Sequence, residues 1–281
     1  MKANMTKSYA LPMDGQTVNI RHAADVIKIG GSVLDDSIAI LEEISELWKS
    51  GRRIALVHGG GPVIDVWMRR MGVTPVFING RRVTDAATLE IVRSVLIGKI
   101  NSEIVRALQT FGVRAVGLCG MDGGMIRAKR ANPELGLVGL AELADGDLLE
   151  TLLSAGFLPV IAPLCLGPDD ECLNVNADDA ANCIARALRA ENLVFLSNVS
   201  GVYSAGKSLI PILTEEHARE LLAQGVISGG MAPKIEACLA ALDDVAAVHI
   251  IEGSHPGIVL RAFADHDGDE PVGTRIIRRA P

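Results

Sequence analysis

A lysine interrupts an otherwise apolar segment near the start of the chain. Residues 25–34 read DVIKIGGSVL, a pattern typical of a buried strand that ends at a glycine pair, with Lys28 in its middle. An ammonium group is not buried without a partner, because its desolvation is costly. Lys28 therefore either reaches the surface along its own aliphatic stem or meets an anion.

Further glycine-rich turns follow apolar runs along the chain. VHGGGP follows the run at 53–57, and GMDGGM follows the run at 113–118. Exposed backbone N–H groups in such turns bind anions, and open α/β sheets bind ligands at the carboxyl ends of their strands. The first two turns, one of them flanked by Lys28, thus predict an anion site. His58, beside three glycines, is better explained as packing against or orienting its loop than as a catalytic base.

The spacing of these glycines excludes the common nucleotide-binding motifs. No G-x-G-x-x-G follows the first strand, and the glycine turns named above do not fit the Walker pattern G-x-x-x-x-G-K-[ST], whose match in this chain, GVYSAGKS, lies at 201–208, away from those turns. The H-R-D and D-F-G segments of protein kinases are missing as well. With a net charge of −7 and no dominant basic patch, the chain is also not expected to bind nucleic acid.

The elements that must position these groups alternate between strand and helix. Such alternation predicts an α/β fold with a mainly parallel central sheet and helices on both faces. The segment FINGRRVTD is expected to form a hairpin or a loop, and Thr84 to cap the long helix that follows it. We expect strands at 26–29, 53–57, 113–118, 157–162, 193–196 and 246–251 and helices at 36–49, 62–71, 84–108, 146–155, 179–189, 214–224, 233–242 and 255–264.

Cysteine usage and hydropathy indicate a cytoplasmic protein. The five cysteines are an odd number without a C-x-x-C pair, which favours free thiols in a reducing compartment. They do not cluster with histidines, so a zinc site is not expected, and no apolar run is long enough to span a bilayer. Residues 1–24 are polar, lack the apolar region of a secretory signal and are expected to form a flexible extension.

Six segments in a fixed order resemble those of the amino acid kinase family. They are VIKIGGS, VHGGGP, NGRRVTD, LNVNADDAA, LSNVSGV and ISGGMAPKIEACL, and the resemblance extends over residues 26–277. The first two are shared by the wider family. NGRRVTD and NVNAD resemble more specifically the members that phosphorylate the side-chain carboxylate of N-acetyl-L-glutamate in arginine biosynthesis. The resemblance implies a three-layer αβα sandwich with two lobes and ATP as phosphoryl donor.

The resemblance also implies a role for particular residues. Lys28 and Lys234 match the two lysines that contact the transferred phosphoryl group, and Asp178 matches the carboxylate that holds both lysines. The acceptor would be bound by four residues: Gly60, Gly61, Arg82 and Asn174. The nucleotide would be bound by Gly30, Gly31, Asn198, Val199, Ser200, Gly201, Val202, Tyr203, Val226, Ile227, Ser228 and Met231.

Two lobes are expected to share this work. Residues 25–190 would form the acceptor lobe and the dimer face, and residues 191–281 the nucleotide lobe. Mg²⁺ would arrive on the ATP phosphates, because it keeps several waters and takes few protein ligands. No separate protein metal site is expected.

The charged residues also have ordinary structural explanations. Lys234 lies near a helix start and could be a surface lysine, and Asp178 with Asp179 resembles a helix N-cap. Arg82 adjoins another arginine, which is typical of a solvated basic turn. The run DHDGDE at 265–270 resembles the start of a calcium loop. It lacks the glycine that such loops have at their sixth position, and the distal glutamate, so we expect a solvated turn.

Some positions depart from the pattern of the acetylglutamate-specific members. Asn198 stands where aspartate is common, and some relatives that act on carrier-linked aminoadipate or glutamate have asparagine there. A kinase for such a carrier is therefore one alternative, and a non-catalytic amino acid or nucleotide sensor is another. The N-terminal segment does not resemble the amphipathic helix of arginine-inhibited hexamers, and Arg261-Ala262 replaces their glutamate. These departures predict an arginine-insensitive homodimer that packs through the apolar positions of helix 84–110.

Overall fold

The computed structural model of the chain describes residues 23–31, 37–264 and 272–279. The expected extension lies outside these residues up to position 22, as do the predicted turn at 265–270 and the start of the first predicted helix. Ala24, placed in the extension by the sequence, is buried in the core, and its carbonyl accepts a hydrogen bond from Glu191 N.

Strands and helices alternate through most of the described chain. The strands are β1 (Asp25–Ile29), β2 (Ile54–His58), β3 (Phe77–Ile78), β4 (Arg81–Arg82), β5 (Ala115–Cys119), β6 (Ile126–Arg130), β7 (Val138–Ala144), β8 (Leu158–Ala162), β9 (Leu164–Leu166), β10 (Cys172–Val175), β11 (Asn192–Ser197), β12 (Ile212–Thr214), β13 (Ala247–Glu252) and β14 (Thr274–Ile277). The α-helices are α1 (Ser37–Lys49), α2 (Gly61–Arg70), α3 (Ala86–Arg93), α4 (Ser102–Thr110), α5 (Asp147–Ser154), α6 (Ala177–Ala187), α7 (Glu215–Ala223), α8 (Met231–Ala241) and α9 (Ile258–Phe263).

One eight-stranded sheet forms the centre of the molecule, in the order β12-β14-β13-β11-β1-β2-β8-β5. The strands from β13 to β5 are parallel, while β14 runs antiparallel to β13. The central strands β1, β2 and β11 are buried along their whole length, as expected for parallel strands covered on both faces. Their carboxyl ends, including that of the strand with Lys28, therefore meet at one edge.

Helices cover both faces of this sheet. Val26 and Val57 pack into a core with residues of α5, α6 and α8, whereas Ile27 and Leu56 pack into a second core with α1, α4 and α9. Because successive side chains of a strand point to opposite faces, one strand contributes to both cores. The predicted three-layer α/β fold with a mainly parallel sheet is confirmed.

The long helix predicted at 84–108 is present, but it is capped and built differently. Asp85, not Thr84, is its N-cap and accepts a hydrogen bond from Thr88 N, whereas the Thr84 hydroxyl donates to the Arg82 carbonyl. A π-helical segment, 94–101, joins α3 to α4. The apolar residues expected to form the dimer face lie in the chain's own core, and Ile97 is the large one left exposed. The dimer stays a prediction, without that argument for it.

Strands β6, β7, β9 and β10 form a small closed barrel that was not expected from the sequence. Strands β9 and β10 have three and four residues, and in β6, IRAKR, only the first and third residues are buried, so these strands contain no long apolar run. Strand β10 lies between the predicted strand at 157–162 and the predicted helix at 179–189, where no element was expected, and it leads directly into α6. The barrel therefore positions residues on both sides of Asn176.

Two expectations from composition can be compared with the described residues. All five cysteines are free thiols, as predicted. Within the described ranges, no helix has the length and apolar character needed to cross a membrane.

The helix expected at 255–264 is shorter than predicted, because Gly257 adopts a left-handed conformation (φ 80°) immediately before it starts.

Candidate active site

Lys28 meets an anion from the chain itself. Its ammonium nitrogen lies 2.6 Å from Asp178 Oδ1, and the ammonium nitrogen of Lys234 lies 3.4 Å from Asp178 Oδ2. The three residues come from β1 and from the first turns of α6 and α8. Two ammonium groups around one carboxylate leave a net charge of +1, so the group can still attract a further anion.

The carboxylate of Asp178 is kept ionised by its neighbours. Burial alone would raise its pKa, but the ammonium groups of Lys28 and Lys234 outweigh burial and hold the pKa below the ordinary value of an aspartate. The N-cap of α6 is Asn176, whose side chain accepts a hydrogen bond from Asp178 N. The interpretation of Asp178 and Asp179 as the N-cap is therefore wrong, and both carboxylates are available for ion pairs.

The two glycine turns touch each other beside Lys28. Gly30 is buried, and its N–H donates to the Leu196 carbonyl. A Cβ atom at Gly31 would lie 2.9 Å from the backbone nitrogen of Gly61 and 3.0 Å from that of Gly60. Only glycine permits this approach. The turns after β1 and β2 thus form one continuous surface of backbone groups.

A cavity of about 360 Å³ opens next to this surface. The four residues of the predicted acceptor site line it: Gly60, Gly61, Arg82 and Asn174. Two of the predicted catalytic residues, Lys28 and Asp178, line it as well. The Asn174 side-chain amide donates to the Thr84 hydroxyl across the cavity wall. The structure therefore brings together residues that are up to 150 positions apart in the chain.

Arg82 is not a solvated turn residue but a buried one with a defined set of partners. Its Nη1 lies 2.6 Å from Asp65 Oδ1, its Nη2 donates to the Gly61 carbonyl at 3.3 Å, and its guanidinium lies 4.7 Å from the centre of the Phe77 ring. The role of Asp65 was not predicted from the sequence, because its ion pair with Arg82 joins two separate elements, α2 and β4. Asp65 holds one side of the guanidinium and leaves other N–H groups for the cavity.

Arg81 also lines the cavity and has a partner of its own. Its Nη2 lies 3.0 Å from Asp179 Oδ2, which ties the β3–β4 hairpin to the start of α6. Its Nη1 is buried without an acceptor in the described part of the chain. A guanidinium nitrogen in that position is a donor that an anionic or carbonyl group in the cavity could satisfy.

Apart from Gly30 and Gly31, of which Gly31 lines the cavity, the residues predicted to bind nucleotide lie in two segments outside this cavity wall. Those of the first segment follow β11 and have internal partners: the Ser200 hydroxyl donates to Glu252 Oε2, and Val202 N donates to the Thr274 hydroxyl at 2.8 Å. The hydrogen bond from Ser200 lowers the pKa of Glu252. The second segment precedes and begins α8, the helix with Lys234.

The members of these segments differ in exposure. Val202 and Ile227 are buried in the core, whereas Asn198, Tyr203 and Ser228 are exposed. Intermediate positions are Val199, Ser200, Val226 and Met231, while Gly201 is buried. Only the accessible residues offer side-chain contacts to a ligand; the buried ones can shape the backbone around it.

An open, mainly parallel α/β sheet that gathers glycine turns and cations at its carboxyl edge defines a protein built to bind anions. The chain belongs to the amino acid kinase family, whose model matches residues 25–252. The family resemblance expected from the motifs is thereby confirmed.

Relatives from several bacteria show which members of this family the chain is similar to. The acetylglutamate kinase of Symbiobacterium thermophilum is 41% identical and covers 96% of this chain and 94% of its own length. That of Methylobacterium nodulans is 43% identical over 91% of this chain and 88% of its own. Both similarities extend over nearly all of both chains, so they include each segment of the site described above.

Solved structures share the fold. The N-acetylglutamate synthase of Neisseria gonorrhoeae, complexed with coenzyme A and N-acetyl-glutamate, matches with a TM-score of 0.79 and 25% identity. The match covers 92% of this chain but 60% of the synthase chain. The carbamate kinase of Giardia lamblia bound to AMP-PNP matches with a TM-score of 0.67 at 16% identity, over 92% of this chain and 99% of that one, and supports the fold alone.

Proposed function

We propose that this chain transfers the γ-phosphoryl group of ATP to the side-chain carboxylate of N-acetyl-L-glutamate, a reaction of arginine biosynthesis. A carboxylate oxygen forms the new P–O bond, the bond to the β-phosphate breaks, and ADP and N-acetyl-L-glutamyl 5-phosphate leave. The observation that supports this most is the Lys28–Asp178–Lys234 group beside the acceptor cavity, in a chain 41% identical to an acetylglutamate kinase.

The reaction needs no general base. A side-chain carboxylate with a pKa of about 4.3 is already ionised at neutral pH. The difficulty is to bring this anion against a triphosphate, and in phosphoryl transfer positioning and electrostatic stabilisation supply most of the rate enhancement. Lys28 and Lys234 would neutralise charge on the phosphoryl group in transit, and Asp178 would keep their ammonium groups at its two oxygens.

The acceptor would be held in the cavity by its second carboxylate. Arg82 offers a planar set of donors that suits a carboxylate, and Asp65 fixes the guanidinium from the other side. Asn174 and the Gly61 N–H group would bind the remaining oxygens of the acceptor, and the Gly60 N–H group would face the reacting side-chain carboxylate. This arrangement favours a short N-acylated dicarboxylic amino acid over a monocarboxylate.

ATP would bind on the other side of Lys28, in the lobe formed by residues 191–281. Gly31 would contact its phosphates, while the buried Gly30, whose N–H donates to the Leu196 carbonyl, would fix the turn. The accessible residues between Asn198 and Tyr203 and between Val226 and Met231 would contact the nucleoside. Residues 25–190 would form the acceptor lobe. We further propose a cytoplasmic, arginine-insensitive homodimer.

Mg²⁺ would accompany ATP rather than occupy a site made by the protein. Within the described ranges, no three His, Cys, Asp or Glu side chains converge to hold a metal ion, and the Asp178 carboxylate is engaged by two lysines. These residues fit an ion held mainly by phosphates and water. When bound, Mg²⁺ supplies charge neutralisation on the phosphate oxygens.

The test is ADP release with Mg-ATP and a panel of acceptors. N-acetyl-L-glutamate, N-acetyl-L-aspartate, free L-glutamate and N-acetyl-aminoadipate are compared, with hydroxylamine present to trap an acyl phosphate as the hydroxamate. We expect turnover and hydroxamate with N-acetyl-L-glutamate alone. Folded protein that binds ATP but turns over none of the four would refute the proposal and favour a carrier-linked acceptor.

A further inference from the structure

His58 is the last residue of β2 and directly precedes the glycines that line the cavity. It is completely buried, and both ring nitrogens have partners: Nδ1 lies 2.9 Å from the Gly59 carbonyl oxygen, and Nε2 lies 3.1 Å from Asn101 Nδ2. Asn101 ends the π-helical segment between α3 and α4. Neither residue belongs to the proposed set of substrate-binding groups.

The partners of Asn101 determine its orientation. Its Nδ2 also lies 2.9 Å from the Val160 carbonyl oxygen and 3.3 Å from that of Leu118, and both of these can only accept. Its Oδ1 faces Gly117, where a Cβ atom would come within 2.1 Å. A rotated amide would place oxygen against two carbonyls, so the NH₂ group must face His58.

These contacts leave one form of the imidazole. The Gly59 carbonyl requires a proton on Nδ1, and the Asn101 amide requires a lone pair on Nε2, so His58 is the neutral Nδ1–H tautomer. Burial agrees with this assignment, because it lowers the pKa of His58 to about 4. A neutral, immobile imidazole is suited to hold a peptide group in place rather than to exchange protons with a substrate.

The peptide group that His58 holds is the one between Gly59 and Gly60. In a trans peptide, the carbonyl and the following N–H point in opposite directions, and the described chain has no cis peptide bond. Since the Gly59 carbonyl points to the buried imidazole, the Gly60 N–H points away from it. Within the described residues, this N–H and that of Gly61 have no protein acceptor, and both nitrogens lie beside Gly31.

We propose that His58 is a positioning residue that aims the Gly60 N–H at the group undergoing phosphoryl transfer, with Asn101 holding the imidazole in place. The inference deepens the proposed function and depends on it. A glycine peptide without this hydrogen bond can rotate, because glycine imposes little conformational restriction. Loss of the bond then weakens a contact that matters in the transition state and leaves ground-state binding largely unchanged.

Two amide variants separate positioning from packing. Asparagine places its Nδ2 on Cγ, as histidine places Nδ1, so His58→Asn can still donate to the Gly59 carbonyl. Glutamine places its amide one bond further, so His58→Gln can accept from Asn101 but loses the Gly59 contact. Glutamine fills the histidine volume better, and a role limited to packing would therefore make His58→Gln the milder change.

We measure kcat and KM for N-acetyl-L-glutamate and Mg-ATP in the wild type and both variants, with thermal unfolding in parallel. The expected kcat is within about threefold of wild type for His58→Asn and at least about tenfold lower for His58→Gln, with both KM values within about threefold. Equal loss of kcat in the two variants, or the reverse order, would overturn the inference. An inactive wild type would instead count against the proposed function.

A spectroscopic measurement judges the inference even without turnover. The sequence contains five Gly–Gly peptide bonds, so glycine labelled with ¹³C at the carbonyl and ¹⁵N yields few correlated signals. The signal of the Gly59–Gly60 peptide should move in His58→Gln and stay close to the wild-type position in His58→Asn. Equal shifts in both variants would contradict the proposed positioning.

Discussion

The two edges of the central sheet both contain buried charges, but they use them differently. At the amino edge, Asp25 is 1% exposed and accepts from Asn192 Nδ2 at 2.8 Å and from Arg52 Nη1 at 2.7 Å. Asn192 in turn contacts His249 at 3.1 Å. At the carboxyl edge, Lys28 faces a cavity as part of a group with a net positive charge.

The two edges differ in the number of hydrogen-bond donors that have no acceptor within the part of the chain that the structure describes. The carboxylate of Asp25 has donors on both oxygens, although burial still raises its pKa despite the hydrogen bonds from Asn192 and Arg52. At the carboxyl edge, cationic donors exceed the carboxylates that hold them, and the spare donors line a cavity. A buried polar group with its partners in place stabilises the fold, whereas an unsatisfied one is a candidate for function.

The largest expected effect is on the carboxyl edge. Lys28→Met removes a charge that would stabilise the transferred phosphoryl group, and we expect kcat to fall about 10³-fold in a protein that still folds. Steady-state kinetics and thermal unfolding measure the two. Lys129→Met is the matched control, because Lys129 forms an exposed pair with Glu142. Comparable activity in both variants would remove Lys28 from the mechanism.

A milder change at the same edge should alter binding rather than catalysis. Arg82→Lys keeps the charge but loses the planar pair of donors, so we expect the acceptor KM to rise about 30-fold, equivalent to about 2 kcal/mol, with kcat reduced much less. The KM for Mg-ATP serves as internal control and should stay near wild type. A rise in the KM for Mg-ATP alone would show that Arg82 binds the nucleotide and not the acceptor.

The amino edge should show the opposite behaviour. Asp25→Ala leaves the Asn192 amide and Arg52 without their acceptor, which we expect to lower the free energy of unfolding by about 2 kcal/mol while kcat/KM stays unchanged. Urea denaturation measures the stability. Asp243→Ala, at an exposed ion pair with Arg278, should change it by less than about 0.5 kcal/mol. Loss of activity in folded Asp25→Ala would abolish the contrast between the edges.

The smallest effect concerns the pH dependence of stability. His58 has a pKa of about 4 in the folded protein and about 6.5 when exposed, so the unfolded chain binds its proton first as the pH falls. Its contribution to stability is complete above pH 6.5 and is lost toward pH 4. From pH 7 to pH 5.5, wild type should lose about 1 kcal/mol relative to His58→Asn, which has no titrating group there. Parallel denaturation curves would contradict a buried neutral histidine.

Local patterns were sufficient for the main elements and for part of the site. Apolar runs predicted the buried parallel strands, and glycine turns after them predicted where ligands bind. The resemblance of the ordered motifs to the amino acid kinase family implied that Lys28, Asp178 and Lys234 act together, and the structure places them within ion-pair distance. Three of the barrel strands escaped prediction because β9 and β10 have only three and four residues and β6 is mostly exposed, so they resemble loops.

The sequence alone determined the type of fold, the edge of the sheet where chemistry is possible and the residues of the motifs, because apolar periodicity and glycine turns act over a few neighbouring positions. Only the tertiary structure decided which charges are paired and which remain available. Asp65 holds Arg82 from a separate helix, and Asn101 reaches His58 across 43 positions. Such partners come together only when the sheet and its helices pack, and no local pattern encodes the distance between them.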